Sequence, residues 1–146
     1  MDTSETLHAA GRGVVGAMAM TGMRALTTSL HLVDEAPPRS ILRQKSRGLV
    51  RLLPRAPRRT LVELSHWSVG AAGGAGFAAL PEELRRRRWA GPAYGLALWA
   101  GFEAVLAPAL GLTQAKRARP VERLALAADH VLYGLVLSEM RARPRD

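Results

Sequence analysis

Five ionisable side chains stand inside stretches that carry almost no other charge: Arg24, His66, Glu103, Asp129 and His130. Carboxylates and histidines are the groups from which proton relays in low-dielectric surroundings are built, and histidine titrates near neutral pH. Two histidines at matched depth on parallel helices could instead ligate a haem b iron or another metal. The third option is structural. A lone charge is costly in an apolar medium, so an arginine and a carboxylate satisfy one another and fix helix register. On that reading Arg24 pairs with Glu103, and His66, Asp129 and His130 share the same buried polar layer. Snorkelling of Arg24 along a tilted helix is the alternative for that residue. Hydrolytic chemistry finds no support, since Ser65 lies beside His66 without a recognisable nucleophile motif.

The stretches that hold these residues predict an all-α, four-helix, polytopic membrane protein. Mean hydropathy is close to zero, yet charge is sharply segregated. Of 21 Lys/Arg and 12 Asp/Glu residues, only Arg24, Glu103 and Asp129 fall within residues 13–33, 64–81, 90–112 and 124–138. A helix on a water-facing bundle would carry a charged stripe along each span. About 20 residues at roughly 1.5 Å each cross a hydrocarbon core of about 30 Å. The absence of cysteine removes disulfides and thiolate metal sites.

Taken in order, the chain reads as one integral membrane domain over residues 1–146. Its helices are expected at about 9–33, 61–81, 89–112 and 121–140, with a polar tail at 141–146. Met1 to His8 has no basic n-region, so the first helix is expected to act as its own insertion signal. Pro37-Pro38 stops that helix. In the segment 39–59, Arg39, Arg43, Arg47 and Arg51 recur every fourth residue opposite Ile41, Leu42, Leu49, Leu52 and Leu53. That pattern predicts an amphipathic helix on anionic lipid head groups, with a solvated basic loop as the alternative. Nucleic acid is not an expected partner despite a pI near 11.4, because no aromatic interleaving accompanies the charge. Trp89 stands where an interfacial aromatic belongs, and Pro108 is expected to bend the third helix.

Glycine supplies the packing signal. Gly70 and Gly74 lie four apart in the second span, and Gly16, Gly22, Gly95, Gly101 and Gly134 mark small faces on the others. Small residues at i and i+4 let two backbones approach closely. A weak internal repeat accompanies them. An offset of 64 lays His66 on His130 and Gly70 on Gly134, and an offset of 79 lays Gly16 on Gly95 and Arg24 on Glu103. The chain therefore reads as two tandem helix pairs in parallel repeat.

Ala36-Pro37-Pro38-Arg39-Ser40-Ile41-Leu42, His66-x-x-x-Gly70, Gly91-x-x-Tyr94-Gly95-Leu96-x-x-Trp99, Pro108-Ala109-Leu110-Gly111-Leu112 and His130-x-x-Tyr133-Gly134 resemble motifs of the small bacterial inner-membrane proteins similar to YagU, a family of unknown function. The resemblance spans about Gly13 to Gly134. It implies a multi-pass protein of the bacterial cytoplasmic membrane and supplies no reaction. The leading expectation is a non-enzymatic structural or accessory membrane subunit with no cofactor, contacting anionic lipids and forming a homo-oligomer or part of a larger complex. Proton handling or pH sensing is the first alternative, and a bis-His haem or metal-binding redox subunit the second. Twelve Lys/Arg in the two long connections against eight on the other side favour both termini outside.

Overall fold

Alanine, methionine and leucine favour helix and make up 10 of the 27 residues of α1, Thr3–Ser29. In the computed structural model the described residues are 3–31, 55–109, 111 and 119–139. The other helices are α2 (Arg55–Ala78), the short α3 (Glu82–Arg85), α4 (Ala90–Gly101) and α5 (Pro120–Glu139). Beyond Gly101, α4 continues through a π-helical turn, Phe102–Leu106, into a last α-helical turn, Ala107–Ala109. Among the described residues the protein is all-α, without strands. The lipid-contact arginines Arg39, Arg43, Arg47 and Arg51 and the tail 141–146 lie outside the described residues.

Helix ends depart from expectation for local reasons. Helix α1 starts two turns early, with Glu5 on its positive end. It stops at Ser29 and not near Val33. Thr27 and Ser29 turn their hydroxyls back onto the Arg24 and Leu26 carbonyls, which competes with the helical ladder. His31 then takes a left-handed conformation at φ 56°, and its N–H donates to the Thr28 carbonyl at 3.0 Å. Helix α2 begins at Arg55, so residues 55–59 belong to it and not to an interfacial segment. Pro57 is tolerated there because first-turn N–H groups lack helical partners anyway. Pro81 ends the run and starts α3; the Leu84 and Arg85 N–H groups donate to its carbonyl. Pro120 opens α5 at the first helical position. The Glu122 carboxylate accepts the Arg119 N–H at 2.9 Å, half of a capping box. Pro108 lacks the N–H that would reach Ala104, and the chain widens just before it, the Ala107 N–H reaching back to the Phe102 carbonyl.

Two antiparallel helix pairs make the bundle. In the first, Gly13 of α1 lies on Gly70 and Gly74 of α2; in the second, Gly91 and Gly95 of α4 lie on Gly134 and the His130 carbonyl of α5. A Cβ at any of these glycines would strike a backbone carbonyl or the facing side chain. The offset relating Gly70 to Gly134 is the expected 64. The offset relating Gly13 to Gly91 is 78, one less than the sequence comparison suggests. One residue is about 100° of helix, enough to carry Glu103 away from the position of Arg24. Gly22 and Gly101 are exposed with nothing near them, and so take no part in packing. The Gly70/Gly74 and Gly134 faces are consumed inside the chain, so they do not offer an oligomer contact.

The pairs meet where α5 crosses α1. Tyr133 fits between Gly16 and Gly73, and its hydroxyl donates to the Gly70 carbonyl at 2.6 Å. Tyr94 donates to the Gly73 carbonyl at 2.8 Å and meets Phe77 edge-on, ring centres 5.2 Å apart. Met20, Ala90 and Leu137 complete this core.

No described helix is long and apolar enough to cross a membrane. This departs from the four transmembrane spans expected. The helices cover the apolar runs only in part, over 13–29 in α1, 64–78 in α2, 90–101 in α4 and 124–138 in α5, each shorter than about 20 residues.

Candidate functional site: a polar layer across the bundle

The antiparallel register that seats Gly13 on Gly70 brings the C-terminal half of α1 beside the N-terminal half of α2. Thr21 and Arg24 thereby come level with Glu63 and His66. Through Tyr133 on Gly16, α5 brings Asp129 and His130 to the same depth. Asp129 is 2% exposed. Its Oδ2 lies 3.8 Å from the Arg24 Nε, so Arg24 pairs with Asp129 and not with Glu103. Glu103 sits on the π turn at the bundle edge, 3.9 Å from the Arg123 guanidinium. Asp129 lies on α5, which packs against α1, whereas α4, which carries Glu103, does not.

Around this pair the remaining groups make local bonds. The Thr21 hydroxyl shares its hydrogen between the Ala17 carbonyl and the Glu63 carboxylate, each at 3.1 Å. His130 Nδ1 lies 2.8 Å from the Leu126 carbonyl, which assigns the proton to Nδ1. Arg24, Glu63 and His130 are the charged and titratable neighbours of His66. The Asp129 Oδ1, the His66 Nε2 and the indole nitrogens of Trp67 and Trp99 are buried without hydrogen-bond partners among the described residues. At the opposite end, Glu82 is fully exposed, and its hydrogen bond from Arg86 holds its carboxyl below the usual carboxylate range.

All five expected layer residues are thus located: Arg24, Asp129, His66 and His130 converge, and Glu103 does not join them. Glu63 and Thr21 do, though the apolar run as drawn from residue 64 excluded one and gave no reason to single out the other. The packing pairs Gly13/Ala17 and Gly91/Gly95 are legible as small residues four apart.

Among the described residues no three of His, Asp or Glu are grouped to hold a metal ion. A haem between His66 and His130 does not fit, because Tyr133, one turn from His130, fills the seam and bonds Gly70, one turn from His66. No protein-family profile, curated protein or solved structure matches this chain.

Proposed function

We propose that the chain is a non-enzymatic integral membrane protein, a small accessory bundle of the bacterial cytoplasmic membrane whose polar layer sets helix register. One observation carries the reading. Large apolar side chains point outward on every long helix, among them Met18, Leu26, Leu64, Val69, Val105 and Leu124, with Val69 71% exposed. The interior holds glycine and alanine seams and the buried Asp129, with large apolar side chains gathered mainly in a small cluster around Phe77, Tyr133 and Leu137. An aqueous bundle sorts these the other way. A low mean hydropathy is compatible with this reading, because polar atoms lie on inward faces and only the outer face of an assembled bundle meets lipid. At about 1.5 Å per residue, α1, α2 and α5 are each at least about 30 Å long. The motif likeness to YagU-like proteins accords with the proposal.

Alkaline carbonate washing of host membranes tests it. The protein should stay in the pellet until detergent is added; release into the wash refutes the proposal. The cysteine-free chain allows a second check, with Val69→Cys and Val105→Cys shielded from a membrane-impermeant maleimide and Arg87→Cys labelled.

Proton handling is the second reading, favoured by the unpartnered Asp129 Oδ1 and His66 Nε2. Proton flux in reconstituted vesicles that is lost in Asp129→Asn would support it. Identical flux in the variant and the wild type would remove it.

A further inference from the structure

Four consecutive arginines at the corner between α3 and α4 are not equivalent. Arg85 is held from two sides: its Nε donates to the Leu80 carbonyl at 3.0 Å, and its Nη1 pairs with Glu5. Arg86 is paired with Glu82. Arg87 and Arg88 are exposed and make no ion pair with a described residue. Glu5 and Glu82 are engaged by Arg85 and Arg86, which leaves Arg87 and Arg88 as the unengaged arginines of the corner, with Glu83 beside them and Glu139 at the same end, since Ser138 lies on Gly91. Trp89 follows at 58% exposed, and Leu7, 67% exposed, lies at the same end because Glu5 holds Arg85.

The geometry points to a head-group site for an anionic phospholipid, built from Arg87, Arg88 and Trp89. The inference rests on the membrane reading above. A guanidinium presents paired donors matched to phosphate oxygens. An indole settles at the level of the head groups, with its ring toward the acyl chains. Free phosphate would use the arginines and leave Trp89 and Leu7 without a role. A nucleic acid would call for a longer basic track with several stacking rings. Arg85 and Arg86, locked by their carboxylates, brace the corner that presents the site.

The test uses full-length protein in a neutral maltoside detergent, titrated with phosphatidylglycerol, phosphatidylcholine or inorganic phosphate, with bound lipid read by native mass spectrometry. Phosphatidylglycerol should bind and phosphatidylcholine should not. Arg87→Gln with Arg88→Gln should weaken binding about 25-fold, at roughly fivefold per arginine. Lysine at both positions should retain most of it, and Trp89→Ala should weaken it further. Equal binding by the double glutamine variant, equal binding of phosphatidylcholine, or displacement by millimolar phosphate would each overturn the site. If carbonate washing has already released the protein, the same variants are sedimented with phosphatidylglycerol vesicles. Binding lost in the double variant then upholds the site although the embedding has failed, and no binding by the wild type overturns both.

Discussion

Two classes of glycine, distinguishable only by what faces them, should respond to alanine with opposite signs. A methyl at Gly13 would overlap the Gly70 carbonyl oxygen and approach Gly74 Cα to 3.0 Å. Both are backbone, so no side chain can swing aside. Relief requires α1 and α2 to part by about 1 Å, and a gap of that order forfeits roughly a quarter to a half of each dispersion contact along the seam. Overpacking of this kind costs about 1–3 kcal/mol, which outweighs the gain of about 1 kcal/mol from replacing glycine in a helix. Gly22 and Gly101 have nothing within 4 Å, so alanine there keeps the propensity gain and stabilises by about 0.5–1 kcal/mol. The assay is thermal unfolding in detergent followed by circular dichroism. Gly13→Ala should lower the midpoint, Gly91→Ala should lower it similarly, and Gly22→Ala should raise it. A Gly13→Ala midpoint at or above wild type would refute the close-packed seam.

Three further outcomes are expected in the same unfolding assay. Asp129→Leu leaves Arg24 buried without its carboxylate and should destabilise by about 3–5 kcal/mol, whereas Glu103→Gln, at an edge pair, should cost about 1 kcal/mol or less; the reverse ranking would restore the Arg24–Glu103 pairing. Tyr133→Phe removes the hydroxyl that donates to the Gly70 carbonyl and should cost about 1 kcal/mol, and an unchanged midpoint would show that the bond is not made. His31→Gly relieves a left-handed residue at the end of α1 and should stabilise by about 1 kcal/mol; destabilisation would contradict that backbone conformation.

The four longer helices and their order were legible because charge is excluded from four runs, a signal that survives errors of several residues, whereas the short α3 lies in a charged stretch and was not. Helix ends were not, since polar residues such as Glu5 and Arg55 join a helix without changing where the apolar run begins. The polar layer was legible in composition but not in pairing. Arg24 and Glu103 match in sequence offset, yet a one-residue error turns a side chain by about 100°, and only packing shows that α5 and not α4 lies against α1. Glycine counting likewise favoured Gly22 and Gly101, where spacing at i and i+4 selects Gly13 with Ala17 and Gly91 with Gly95. Tyr133 stood out only as part of the His130-x-x-Tyr133-Gly134 motif: an aromatic in an apolar run does not announce that it will wedge two helix pairs together.

The matched seams also say what the chain between them is worth. From Gly13 to Gly70 the path is 57 residues, and from Gly91 to Gly134 it is 43. Closing the longer path costs only about 0.2–0.3 kcal/mol more than closing the shorter one, since loop entropy grows with the logarithm of length. The backbone contacts are therefore indifferent to the extra 14 residues, and trimming the first connection to the length of the second should leave both seams standing. The seams thus do not set the length of the arginine-rich connection.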